Sequence, residues 1–347
     1  MYSAYAQISE TRFLEIYGLN FEEFAEGQVF HHRPGMTVSQ QENAEEAFDT
    51  FNCAMLHYDE HYAAQTEFKK PLVVSTLTLQ KIFGMSWKTF ARKDRITAFE
   101  NISMTAPIFG GDTLYCTSQI IKTDDTGGKT GDVTVKASCT NQNGIEVANL
   151  TYTVSIFKKG QHPVWGNQPN TCSNPWFLAY HQREDGSLQE ATGIFFEGFA
   201  KGQIFEHSPE ITLHPSSMLR HAVQTMQWHP LYNDREFARD IYGRDRLPAS
   251  ELHVLSLVTA ATTSTFGRVV ANLGWTDTKL SRHFYAEDRF KVTSEVLATR
   301  ESRSRPDQGI LTAKTVAHDQ TAREALSYTR TLLVYREGKG PYAAAGY

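Results

Sequence analysis

Cysteine is scarce in this chain of 347 residues. Cys53, Cys116, Cys139 and Cys172 are the four, and no two stand at C-x-x-C spacing. That excludes a disulfide-stapled small domain and reads as reduced thiols in a cytosolic protein. Surplus positive charge is missing as well. The 34 Lys and Arg against 39 Asp and Glu leave a net charge of -5, so no long-range attraction to nucleic acid or an anionic bilayer is expected. No run approaches the roughly 18 apolar residues of a membrane span. Residues 1–18 lack the basic start and apolar stretch of a signal peptide. No Gly-rich phosphate loop is present either: Gly110-Gly111-Asp112 precedes a strand pattern instead of opening a helix.

What is present is a repeat. Phe21-Glu22-Glu23-Phe24-Ala25-Glu26-Gly27-Gln28-Val29-Phe30-His31-His32 returns as Phe196-Glu197-Gly198-Phe199-Ala200-Lys201-Gly202-Gln203-Ile204-Phe205-Glu206-His207, with 8 of 12 positions identical at an offset of 175. Carried onward, the same offset pairs Asp59 with Asp234, Leu72 with Leu247, Ser75 with Ser250 and Asp112 with Glu287. By Tyr152-Thr153 and Tyr328-Thr329 it has become 176. Two units are expected, at 19–160 and 194–338. Between them lies a connector, 161–193, in which Pro163, Pro169 and Pro175 argue against regular structure.

Each unit reads as a helical front and a strand-rich back. Residues 39–51 place Ala and Phe at helical spacing behind a potential Ser39 cap. Residues 72–87 and 252–270 are apolar on nearly every side, the mark of a buried helix. Residues 112–123, 132–140 and 145–158 are rich in β-branched side chains, and Asn143-Gly144 is a hairpin signal. A helix wrapped by a long antiparallel sheet, twice over, is an α+β double hotdog, with the sheets expected to join edge to edge.

The repeat lets one half act as a control for the other. Asp59 and Asp234 are kept in register, each with an aromatic residue three positions later, which marks a structural pair. His57 is not kept: Tyr232 stands in its place, and Gln227 in that of Asn52. Only the first half carries a group that titrates near neutral pH at this point. His57 and His61 also stand four apart, as metal ligands on one helix would, but the Glu placement of H-E-x-x-H is missing and no metal is expected. His31, His32 and His207 belong to the repeated lead-in and read as structural.

The stretch from Asn52 to Tyr62 resembles the signature of MaoC-type (R)-specific enoyl-CoA hydratases, in which Asp is followed five residues on by His, then Asp, then an aromatic. His57, Asp59 and Tyr62 match; the family's first Asp is Asn52 here, and its His-Gly ahead of the buried helix is Val74-Ser75. The runs Gly128-Lys129-Thr130-Gly131-Asp132-Val133-Thr134-Val135 and Val270-Ala271-Asn272-Leu273-Gly274-Trp275 resemble 2-methylfumaryl-CoA (mesaconyl-CoA) hydratases, themselves double-hotdog chains. The resemblance implies an enzyme that hydrates an α,β-unsaturated acyl-CoA. It needs no cofactor beyond the coenzyme A of its substrate and works as a homodimer or larger assembly.

On that reading His57 handles the proton, since imidazole titrates near working pH. Asn52 positions the water or polarises the carbonyl. The backbone at Ser75, heading the buried helix, stabilises the enolate oxygen. Asp49 is a further candidate acid, reaching His57 if its helix extends to Asn52; the alternative is a solvated face shared with Glu45. Arg282 and Lys279, flanking Trp275, are candidates for the CoA phosphates. Two other readings stand beside this one: a thioesterase using Glu251, and an acyl-CoA sensor without turnover.

Overall fold

The computed structural model describes residues 2–165, 172–243 and 246–347; Pro169 of the connector lies outside them. Two sheets form, each laid around a helix. The first runs, in hydrogen-bonded order, Lys93–Met104, Glu146–Phe157, Thr130–Thr140, Thr113–Asp124 and Val29–His31, around the helix Ser75–Ser86. The second repeats it with Val269–Leu280, Glu324–Tyr335, Gln308–Asp319, Arg289–Glu301 and Ile204–Thr212, around the helix Glu251–Ala261. This is the double hotdog. Among the described residues, no helix is long and apolar enough to cross a membrane.

The strands follow from their side chains. In Thr130–Thr140, Val133, Val135, Ala137 and Cys139 alternate inward and are fully buried. Cys116 faces Cys139 across the strand pair, and all four cysteines are free. Burial pushes the Cys116 and Cys139 thiols up. The Asn143-Gly144 turn closes the next hairpin, with Gly144 at φ 75 donating to the Asn141 carbonyl. The repeated lead-in also gains a reason: Phe21 packs on Gly131 and Phe196 on Gly309, where a Cβ would meet the ring at 2.4 and 2.1 Å.

The connector is not irregular throughout. Tyr180–Gln182 and Leu188–Glu190 form a hairpin that adds to the first sheet, parallel to Val29–His31. The hairpin Tyr5–Gln7 and Arg12–Glu15 adds in the same way to the second sheet, parallel to Ile204–Thr212. These hairpins are themselves 175 residues apart, so the repeat begins ahead of residue 19 and each copy lends its leading hairpin to the other unit. The sheets therefore meet edge to edge through the exchanged hairpins, at a bridge between Ser3 and Leu178.

Each lent hairpin is fixed by a buried ionisable pair. His32 Nδ1 lies 2.9 Å from Glu190, its Nε2 2.9 Å from Ser118 Oγ, and Thr89 donates to the same carboxylate. His207, Glu15, Ser294 and Thr265 repeat the arrangement in the second unit. His32 and His207 are thus structural anchors.

Burial alone would raise the Glu190 carboxyl, but the His32 charge and the hydrogen bonds from His32 and Thr89 hold it below the usual range. A depressed carboxylate contributes stability above its unfolded pKa, about 4.3, and loses it as pH falls through the lower folded value. Glu190→Gln is therefore expected to cost about 1.5–3 kcal/mol at neutral pH, with the gap to wild type narrowing below about pH 4. Thermal melts from pH 7 to pH 3 check this; a gap independent of pH would remove the ion pair from the account.

Candidate functional site

Ser39 caps the front helix Gln40–Asp49, its Oγ accepting from the Glu42 N–H at 3.0 Å. One turn into that helix sits Asn43, fully buried. Its Nδ2 donates to the carbonyls of His57 (3.0 Å) and Leu72 (2.9 Å), and its Oδ1 accepts from the Val74 N–H at 2.7 Å. Gln40 adds a second donor to the His57 carbonyl at 2.8 Å. One amide thus ties the His57 turn to the entry of the buried helix.

His57 ends the single helical turn Met55–His57 and is half-buried. Its Nδ1 lies 2.8 Å from the Leu72 carbonyl. A carbonyl only accepts, so Nδ1 carries the proton and Nε2 of the neutral ring keeps its lone pair. Leu72 is three residues ahead of Ser75, where the buried helix begins. That helix has Val74 at its N-cap, and no side chain caps its first turn. Val74 gives its own N–H to Asn43, while Ser75 and Thr76, both exposed, head a helix whose first N–H groups point out of it. The arrangement puts a basic nitrogen and unspent backbone donors at one end of the first unit.

The second unit has a helix head likewise without a side-chain cap, but it lacks the imidazole at this point. Tyr232 occupies the place of His57, and its hydroxyl donates to Glu251 at 2.8 Å. Glu251, not Ser250, is the first residue of that helix. The bridges Leu72–Phe109 and Pro248–Tyr285 show that the offset has already slipped to 176 ahead of the helix, so Ser75 matches Glu251 and Asp112 matches Asp288. Phe109 and Tyr285 confirm it, their N–H groups bonding the carboxylates of Asp112 and Asp288, each at 2.9 Å. Within the front helices the offset is still 175, and Met218 stands where Asn43 does. An anionic carboxylate at the second helix head opposes charge developing on a bound oxygen there.

A family model described as "MaoC like domain" matches residues 22–143, and one described as "Mesaconyl-CoA hydratase" matches residues 178–346. The two matches fall one on each half of the chain. The chain is 32% identical over 146 residues to a mesaconyl-CoA hydratase of Haloarcula hispanica, covering 42% of the chain and 40% of that protein. To the mesaconyl-CoA hydratase of Cereibacter sphaeroides it is 28% identical over 160 residues, covering 46% of each. The matches thus span less than half the length of these relatives. A putative MaoC domain protein dehydratase from Chloroflexus aurantiacus aligns over 92% of this chain and 98% of its own, at 17% identity and a TM-score of 0.41.

The remaining sequence candidates fall in different places. Asn52 is half-buried; its Oδ1 accepts the Ala54 N–H at 3.0 Å, a turn-forming bond. Asp49 is corrected: its helix stops at Asp49, Thr50 caps it and Phe51 turns back at φ 55, so the extension toward His57 is absent and Asp49, like Glu45, faces solvent. Asp59 caps the next helix, accepting from the Tyr62 N–H, as Asp234 does from Glu236 and Phe237, so the retained pair is structural. His57 and His61 lie on separate helical segments, which removes the premise of shared ligation from one helix.

Arg282 is engaged within the chain: its guanidinium bonds Asp288 at 2.6 Å and sits 3.3 Å from Asp319, which fastens a turn. Thr321, the backbone of Thr321 and Arg323, and Arg282 hold the Asp319 carboxyl down to about 2, against the cost of burying it. Lys279 and Trp275 lie on the edge strand Val269–Leu280, not on a loop; Lys279 is exposed. A cavity of about 610 Å³ opens elsewhere, between the exchanged hairpins, lined among others by Tyr5, Tyr17, Arg92, Tyr180 and Trp165; neither His57 nor Ser75 borders it.

Asn43 is the residue that sequence reasoning missed. The half-to-half comparison that singled out His57 contained the signal, because Asn43 faces Met218 at the same offset. A polar residue on the inner face of an amphipathic helix, apolar in the twin unit, is a polar contact waiting for a partner.

Proposed function

We propose that this chain is a hydro-lyase that adds water reversibly across the double bond of an α,β-unsaturated acyl-CoA. The substrate class is a short, branched, dicarboxylic enoyl-CoA, with 2-methylfumaryl-CoA to β-methylmalyl-CoA as the reaction. The observation that carries this reading is that one half alone pairs a tautomer-fixed imidazole with an uncapped helix head. The half-length matches to mesaconyl-CoA hydratases support the substrate class.

In the forward direction His57 Nε2 takes a proton from water as the water oxygen bonds Cβ. The π electrons move through Cα onto the thioester oxygen, and the enolate is held by the Ser75 N–H at the positive end of the helix. As the enolate collapses, Cα takes up the proton held on His57 Nε2, which returns the ring to its neutral form and gives the hydroxyacyl-CoA. Asn52 Nδ2 orients the water. Coenzyme A enters as part of the substrate, and no other cofactor takes part.

Incubation with a panel of enoyl-CoA esters tests this. Loss of the conjugated-thioester absorbance should accompany the mass gain of one water, fastest with the branched dicarboxylic ester. Free CoA without a hydrated acyl product would move the assignment to thioester hydrolysis. Glu251, held by Tyr232 and 4.0 Å from His283, is the carboxylate placed for that. Binding with no turnover of any ester would make the chain an acyl-CoA sensor.

A further inference from the structure

The cavity between the exchanged hairpins has two walls, and the repeat makes each the control for the other. Arg92 and Arg268 occupy matching places, at the offset of 176. Both are buried, 6% and 4% exposed. Both give Nε to a matching carbonyl, Arg92 to Gly18 at 3.0 Å and Arg268 to Gly193 at 3.2 Å.

From there the walls diverge. The rings of Phe195 and Tyr342 cover the Arg268 guanidinium, 3.7 and 4.2 Å from it. Asn20 stands in the place of Phe195, and Arg92 lines the cavity where Arg268 does not. Lys88 lines it as well, and its counterpart across the repeat is Ser264. The first copy therefore supplies a cationic wall. The second supplies a largely apolar one, with Trp176, Leu178, Ala191 and Ile194.

The cations of the first wall are not neutralised. Arg92 Nε and Nη1 donate to the carbonyls of Tyr17, Gly18 and Trp165 and to the side-chain oxygen of Asn20, all uncharged acceptors. Glu23, whose charge supports Arg92, is held by the Asn20 N–H and Nδ2 at 2.6 and 2.8 Å. The other carboxylates of the cavity are engaged too, Glu15 with His207 and Thr265, Glu190 with His32 and Thr89. Lys88 acts on Glu190 at range and forms no ion pair among the described residues. Arg92 Nη2 has no hydrogen-bond partner among them. A buried cation without an anion is costly.

We propose that this cavity binds a monocarboxylic acid with an apolar body, its carboxylate on Arg92 Nη2 and Lys88 and its chain against Trp176, Leu178 and Ile194. Two remaining donor groups suit the two oxygens of a carboxylate better than the three of a phosphate. The volume of about 610 Å³ is ample for such a molecule. The site is separate from the helix head, since neither His57 nor Ser75 lines it. Tyr5 and Tyr180, one from each exchanged hairpin, both line it, so a bound acid ties the two hairpins together.

Calorimetric titration of the full chain with octanoate, and with octanol as the uncharged probe, tests this. Octanoate should bind once per chain and raise the melting temperature. Octanol should bind about 10-fold more weakly or worse. Lys88→Met should weaken octanoate about 10-fold and leave octanol unchanged. Ala191→Phe, which fills the cavity, should remove octanoate binding with unchanged far-UV circular dichroism; if that variant unfolds, Lys88→Met decides. His57→Ala should keep the wild-type affinity for octanoate. No octanoate binding by the wild type overturns the proposal. So do equal affinities for acid and alcohol, wild-type affinity in Lys88→Met, and loss of binding in His57→Ala, which would put the acid at the helix head.

Discussion

His57→Ala is expected to leave the chain folded and to lower enoyl-CoA hydration by about 10²- to 10⁴-fold. The fold survives because the bonds that organise this turn end on the main chain. Asn43 and Gln40 both donate to the His57 carbonyl, which alanine retains. The Leu72 carbonyl loses the imidazole but keeps Asn43. What disappears is the one basic nitrogen at the helix head, and Tyr232 of the second unit cannot replace it at neutral pH. The comparison requires purified variant and wild type, steady-state rates on the best ester of the panel, and melting temperatures for both. Turnover at the wild-type rate would remove His57 from the mechanism. A variant that unfolds would instead assign the ring to packing.

Ser75→Pro is expected to cost about 10²- to 10³-fold in turnover with little change in stability. Ser75 is the first residue of its helix, the position where proline is best tolerated, because the missing N–H has no intrahelical partner. Val74 ahead of it already holds φ -57 and ψ 127, the extended geometry that a residue preceding proline adopts. The Ser75 side chain is exposed, so nothing in the core moves. The substitution deletes one backbone donor and leaves the rest of the helix head in place. Rates fall mainly in kcat if that N–H binds the enolate more tightly than the substrate carbonyl. Full activity in this variant, alongside an inactive His57→Ala, would place the oxyanion site at another donor.

Legibility varied with the range of the interactions. The repeat, the wrapped helices and the inner strands were readable because each is set by local periodicity and burial on one face. The strand Lys93–Met104 was not read, since a strand without a buried face carries no alternation to detect. The exchanged hairpins were hidden by their brevity: three or four residues each, held by a histidine-glutamate contact more than 150 residues away in sequence. The slip from 175 to 176 was placed too late. An added residue between Ala238 and Pro248 is invisible until the bridges at Leu72 and Pro248 are seen. The end of the helix at Asp49 was not readable because caps are set locally, and the ion pairs of Arg282 with Asp288 and Asp319 were not readable because they join separate elements.

By itself the sequence determined that this protein is two copies of one α+β unit and that only the first keeps an imidazole where the second has a phenol. Duplication and loss are written in residue identities, and comparing the halves needs no coordinates. The tertiary structure alone decided that each copy lends a hairpin to the other, that Asn43 and the Leu72 carbonyl set the tautomer of His57, and that the outermost strands are left open. Those outcomes depend on which distant backbone groups find partners, and no local pattern of side chains encodes that pairing.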